Sequence, residues 1–189
     1  MIARGSNHHG YPVGTRVIAN WQGRGAWFLG EVAAVSLDRV FIRYIDGDEE
    51  WVTLDRVMEP KLVVGLRVVA RWQRCPAWYP GVIAAMEGGR VGIQYFDGDQ
   101  EWTEPDLVRV DDIREGDWLV VDLEGTRRYT PAKIVERQRD GFLVELLDGT
   151  RAQTTIRNVG LDLDARETGY SSFARRPEDE EPDPWGFEP

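Results

Sequence analysis

Apolar and polar residues alternate in short stretches along this chain, and nothing keeps a helical period for long. Val17, Ala19 and Trp21 alternate with Arg16, Ile18 and Asn20, the period of a half-buried strand. A second strand is expected from Trp27 to about Val35, kinked at Gly30 where a small barrel must bend. Val40, Ile42 and Tyr44 then alternate with Phe41, Arg43 and Ile45, and Asp46-Gly47 supplies residues that accept positive φ in a hairpin turn. A return strand through Trp51 and a short turn at Leu54 to Val57 complete the unit.

This pattern recurs three times at a spacing of 51 residues: Gly14, Gly65 and Gly116 open the copies, and Asp46-Gly47, Asp97-Gly98 and Asp148-Gly149 mark the same later point. Between Val13–Val57 and Val64–Val108, 23 of 45 positions are identical, among them Trp21/Trp72, Trp27/Trp78, Tyr44/Tyr95 and Trp51/Trp102. Many short strands in so few residues indicate a small closed barrel that removes its own sheet edges. The expected organisation is all-β: a leader at 1–11, barrels at 12–60, 61–110 and 111–160, and a linker with an acidic tail at 161–189. Each unit is barely large enough to fold alone, and the connectors Met58–Lys61 and Arg109–Asp112 are too short for free tumbling. Neighbouring barrels are therefore expected to pack as one rod or wedge.

Charge narrows the partners. The net charge of −10 argues against a nucleic-acid backbone, which needs a basic stripe, and suits a cationic ligand. Glu178, Asp179, Glu180, Glu181, Asp183 and Glu188 face only Arg175 and Arg176, a Pro- and acid-rich composition expected to stay disordered. Residues 1–10 hold no apolar segment and no run approaches a membrane span, so the expected location is intracellular, cytoplasmic in a bacterium or nuclear in a eukaryote. Cys75 is the single cysteine, which leaves no disulfide framework. No metal or cofactor is expected, and with His8 and His9 both in the leader no paired nucleophile and base can be assembled for an enzyme.

The segments Val64 to Trp72 (VGLRVVARW), Trp78 to Gly81 (WYPG) and Tyr95 to Gly98 (YFDG) resemble the hallmarks of Tudor domains. The resemblance is close to the tandem Tudor type that reads DNA-damage-marked chromatin in animals, and looser to agenet and other Royal-family barrels. It covers the first two copies fully and the third weakly. It implies three SH3-like barrels and an aromatic cage for methylated lysine or arginine, formed by Trp21, Phe28, Tyr44 and Asp46 in the first copy and by Trp72, Tyr79, Tyr95 and Asp97 in the second. Trp51 and Trp102 are secondary candidates. The third copy offers Leu123, Thr130, Leu146 and Asp148, so it is expected to be structural.

The chemistry of such a cage is general. A methylated ammonium has lost donors and hydration and is attracted to ring faces at roughly 0.5 to 2 kcal/mol each. A carboxylate beside the rings favours mono- and dimethyl forms, which still donate a hydrogen bond. Simpler readings stand beside this one. Trp27 and Trp78 read as core packing. Asp46-Gly47-Asp48-Glu49-Glu50 reads as a solvated hairpin tip before a calcium loop, and Cys75 as an inert thiol. The leading expectation is a non-enzymatic module that binds a methylated or cationic segment of another protein, a histone tail if the source is eukaryotic. The alternatives are a scaffold without methyl recognition and, third, a nucleic-acid-binding barrel array.

Overall fold

The computed structural model describes residues 10–126, 128–138, 140–169, 171 and 173. In the first unit β1 (Arg16–Asn20), β2 (Trp27–Val35), β3 (Arg39–Tyr44), β4 (Glu49–Thr53) and β5 (Val57–Met58) form an antiparallel sheet in the order β4-β3-β2-β1-β5. One 3₁₀ turn, Leu54–Arg56, joins the two edge strands, so the strip curls until its edges share a corner. The second unit repeats this order with β6 (Arg67–Ala70), β7 (Tyr79–Glu87), β8 (Arg90–Tyr95), β9 (Gln100–Thr103) and β10 (Val108–Val110). The third does so with β11 (Trp118–Val121), β12 (Thr130–Gln138), β13 (Gly141–Leu146), β14 (Arg151–Thr155) and β15 (Val159–Asp162). The chain is all-β, three SH3-like barrels in tandem, followed by a short helix α1 (Asp164–Thr168).

The local devices recur with the sequence. Each Asp-Gly turn places its glycine at positive φ, 93°, 106° and 82° for Gly47, Gly98 and Gly149, and uses the aspartate Oδ1 to accept the N–H two residues on. The bend of the long second strand is not at Gly30. It is a bulge between Val32 and Ala34, repeated at Ile83/Ala85 and Ile134/Glu136. Gly30 is needed for another reason: a Cβ there would stand 2.6 Å from Ile42 Cγ2 and 2.8 Å from the Arg43 carbonyl oxygen, so only a bare backbone lets the strands approach.

Alternation along β1 predicts one buried face, yet Val17, Ile18 and Ala19 are all buried. Val17 and Ala19 fill the first barrel, whereas Ile18, with Leu29 and Trp27, packs into the core of the second around Leu66, Val68 and Ile93. The same step carries Val69 and Trp78 of the second unit into the core of the third, beside Ile113, Leu119 and Leu161. Burying a large apolar side chain is worth roughly 1.5–3 kcal/mol, so residues that look solvent-facing in one unit stabilise the next. Trp78 is thus a core residue, and partly buried Trp27 packs on a core, in each case that of the neighbouring barrel.

The two joints differ in geometry. Trp27 N–H donates to Gly65 O at 2.9 Å in a parallel bridge to the start of the second unit, whereas Trp78 exchanges both backbone bonds with Leu161, 2.9 and 2.7 Å, in an antiparallel bridge to the last strand of the third. The two joints are therefore not equivalent, and the third unit also reaches the first. Asp112, before the third barrel, lies 3.9 Å from Arg16 and accepts from Arg166 of α1 at 2.9 Å. Arg166 also pairs with Asp117 at 2.5 Å; burial works against its charge, but these carboxylates outweigh it and raise its pKa.

Two expected boundaries shift. Leu161 is fully buried in β15, so the third barrel runs to Asp162 and the linker starts later than 161. Tyr11, assigned to the leader, packs on the first core and donates its hydroxyl to Val57 O at 3.2 Å. The rest of the leader, with His8 and His9, and the acidic tail lie outside the described residues.

Candidate functional site

β6 and the 3₁₀ turn after it (Trp72–Arg74), the start of β7, and the hairpin after β8 converge on one end of the second barrel. There Trp72, Tyr79, Tyr95 and Asp97 line a hollow of about 180 Å³ together with Asp99 and Tyr129. Trp72 meets Tyr95 edge-on, centroids 5.5 Å apart at 85°, and Tyr79 meets Tyr129 at 6.2 Å and 70°. Among the described residues the lining holds rings and carboxylates but no cation.

Strand alternation cannot show how this geometry is held. Tyr95 Oη donates to Glu101 at 2.5 Å, and the other oxygen of Glu101 accepts from Gln73 N–H at 3.2 Å. Gln73 has φ +46°, a left-handed conformation seldom adopted outside glycine. Glu101 therefore fastens the Trp72 turn to the Tyr95 ring. Burial first, then the bond to Glu101, raises the Tyr95 pKa. Tyr79 is pushed up to about 12 by burial and by the neighbouring Tyr129, Cys75 and Asp97. Cys75 is a free thiol, partly exposed, and is not part of the lining.

The first barrel repeats the plan: Trp21, Phe28, Tyr44 and Asp46 line a hollow of about 150 Å³. Phe28 stands edge-on to Trp21 (6.4 Å, 73°) and to Tyr44 (6.2 Å, 77°). Tyr44 Oη donates to Glu50 at 2.7 Å, and Glu50 accepts from Gln22 N–H, again at positive φ. Its remaining lining is Asp48 of the same hairpin, Arg67 of the second unit and Asp140 of the third. The Arg67 guanidinium carbon is 5.9 Å from the Phe28 centroid and 5.2 Å from that of Phe96. Arg67 also pairs at 2.8 Å with Asp111, which is 1% exposed and lies 3.6 Å from Arg137. A cation of the protein itself thus already faces the first set of rings.

The remaining candidates fall elsewhere. Trp51 and Trp102, 43% and 42% exposed, line neither hollow. Trp51 packs on its cross-strand partner Phe41 at 5.3 Å, and Trp102 lies over Gly92, the corresponding position. In the third unit Leu146 packs on its own core and Leu123 is exposed, and the hollow that opens there includes neither Thr130, Leu146 nor Asp148. The support is gone as well: Gln22/Gln73 correspond to Glu124, and Glu50/Glu101 to Ala152. The acidic run after Tyr44 has separate structural uses, since Asp46 caps the turn, Glu49 pairs with Arg43 at 2.8 Å and Glu50 takes Tyr44.

The fold is a tandem array of SH3-like barrels. Among solved structures the chain is similar to the tandem Agenet domain 3-4 of ADCP1, at 21% identity over 53% of this chain and 79% of that one, with a TM-score of 0.29. It is similar also to AGD34 of AGDP1 from Arabidopsis thaliana, at 21% over 53% and 82%, TM-score 0.30. A third likeness is to the four MBT repeats of Drosophila melanogaster Sfmbt in complex with peptide RHR (me)K VLR, at 9% over 85% and 66%, TM-score 0.23. Values this low carry no argument about ligand or partner. No protein-family model and no curated protein matches the chain. Among the described residues no helix is long and apolar enough to cross a membrane.

Proposed function

We propose that this chain is a binding module whose second barrel holds a methylated ammonium group of a partner protein, with mono- and dimethyl-lysine favoured. The observation that carries this is the ring-lined, carboxylate-edged hollow of Trp72, Tyr79, Tyr95 and Asp97. Ring faces attract a poorly hydrated cation, and the carboxylates accept the hydrogen that a mono- or dimethylammonium retains. The first hollow shares the residue types, but Arg67 opposes a second cation there, so one ligand per chain is expected. Titration of peptides bearing unmodified, mono-, di- and trimethyl-lysine and methylated arginine into the intact chain tests this. Saturable binding of a methylated form at a modest Kd, with much weaker binding of the unmodified peptide, is the expected result. Equal binding of all forms, or none, overturns it in favour of a scaffold that uses exposed rings such as Trp51 and Trp102 as interface anchors.

A further inference from the structure

The second hollow is not built by the second barrel alone. Tyr129 occupies the position in the third copy that Trp27 and Trp78 occupy in the first two. Those two tryptophans are drawn into the barrel that follows. Tyr129 stays 41% exposed. The antiparallel joint between Trp78 and Leu161 turns the third unit so that this residue faces back onto the ring of Tyr79.

The same joint fixes Tyr79 from a second direction. Gly160, next to Leu161 in β15, lies so close that a Cβ on it would stand 3.0 Å from Tyr79 Cε1, 3.0 Å from Val120 Cγ2 and 3.1 Å from Ala77 Cβ. The ring of Tyr79 therefore rests on bare backbone of the third barrel while its other neighbour is Tyr129. In the first unit the corresponding ring, Phe28, meets Arg67 instead.

We propose that the third barrel is a working part of the second barrel's binding site, with Tyr129 as a fourth aromatic wall and Gly160 as the seat that positions Tyr79. This rests on the methyl-cation reading above and extends it: the site exists only where the two barrels meet. A fourth ring encloses the cation more fully and adds one more attractive face, while the two carboxylates Asp97 and Asp99 remain at the edge. Tyr129 contributes through its ring, so its hydroxyl is dispensable. A barrel that has lost its own cage residues thus keeps a role in binding.

The test uses the intact chain and Nα-acetyl-dimethyl-lysine methylamide, with the unmethylated compound as reference, followed by NMR chemical-shift titration. Tyr129→Ala is expected to raise Kd roughly three- to tenfold, the value of one cation–π face. Tyr129→Phe is expected to stay within about twofold of the wild type on the same grounds. Gly160→Ala, which must displace Tyr79 by a few tenths of an ångström, is expected to raise Kd about twofold or more. Trp72→Ala serves as the control for the hollow itself. If Trp72→Ala weakens binding while Tyr129→Ala and Gly160→Ala, both shown folded by unchanged thermal unfolding, bind as the wild type does, the shared site is overturned and the methyl-cation reading survives. If the wild type does not distinguish the methylated from the unmethylated compound, both fall.

Discussion

The first and second barrels carry the same three aromatic positions and the same aspartate, held by the same glutamate bridge, yet they end in different sites. In the second, what the neighbouring barrel adds is a ring, Tyr129; in the first, the second barrel adds a guanidinium, Arg67, and the third a carboxylate, Asp140. The four motif positions therefore make a hollow, and on the proposed reading the residues contributed across the joints decide what it accepts. Half-buried Arg67 belongs to a group that also holds the buried side chains of Asp111 and Arg137, two cations for one anion. The excess positive charge lies over Phe28, Phe96 and Phe142, the last 5.5 Å from Arg137. On this view the rings of the first barrel help to dissolve an internal cation, while those of the second are open to an external one.

The harshest way to break that contrast is to remove the anion at the joint. Asp111→Ala leaves Arg137 and the half-buried Arg67 without it, and loss of one partner of a buried pair costs up to about 3–5 kcal/mol. Total stabilities are only about 5–15 kcal/mol. The urea midpoint is expected to fall sharply, and an unchanged midpoint would mean that this group does not tie the barrels together.

Next in size is the binding contrast itself. Trp72→Ala should cost about 1 kcal/mol or more of methyl-lysine peptide affinity through the lost ring face, whereas Trp21→Ala should leave affinity and stoichiometry unchanged. Calorimetric titration of both variants decides the matter. Equal losses would show that the first hollow also binds ligand and that Arg67 does not block it.

Much of this was legible in the sequence because the governing signals are local. Strand alternation, the Asp-Gly turns and the 51-residue period define three barrels, and Trp72, Tyr79, Tyr95 and Asp97 fall in one hollow because each sits at a strand end that the barrel topology gathers. What was missed lies across joints. Ile18 and Val69 look solvent-facing in their own strands, and nothing local says that the next core covers them. Tyr129 and Arg67 escape for the same reason, since they serve units other than their own. Glu50 and Glu101 did leave a signal: they change to Ala152 in the same copy that loses the cage aromatics. Trp51 and Trp102 show the opposite failure, an aromatic repeated at the right spacing but standing on another face of the barrel.

A titration with alkali sharpens the comparison at smaller cost. Tyr44 and Tyr95 are both raised, first by burial and then by the bond to Glu50 or Glu101, and Tyr79 is raised to about 12. A phenol whose folded pKa lies above its unfolded value of 10.0 holds its proton longer in the folded state. Its contribution to stability is thus complete below pH 10 and is lost as the pH rises through the folded values. The urea midpoint is expected to be flat between pH 8 and about 9.5 and to decline beyond, as phenols exposed by unfolding lose protons that the buried ones still hold. Tyr79→Phe, which makes the second barrel like the first at that position, should soften the decline between about 10 and 12, the window its own pKa sets. An identical decline in the variant would mean that Tyr79 titrates like a free phenol.

The finest distinction concerns methylation state. Asp97 Oδ1 accepts the N–H of Asp99 at 3.1 Å, a bond that an asparagine oxygen can also accept, so Asp97→Asn should keep the hairpin. What it removes is the negative charge at the edge of the second hollow. A dimethylammonium donates one hydrogen bond and a trimethylammonium none, and a charge-assisted bond is roughly twice as strong as a neutral one. The ratio of dimethyl- to trimethyl-lysine affinity is therefore expected to fall by about threefold in Asp97→Asn, with both affinities reduced. Asp46→Asn in the first barrel should leave the ratio untouched, since Arg67 already faces that hollow. If the ratio holds in Asp97→Asn, Asp99 or the rings alone set the preference; if it falls equally in Asp46→Asn, the two barrels bind the ligand alike and the contrast between them fails.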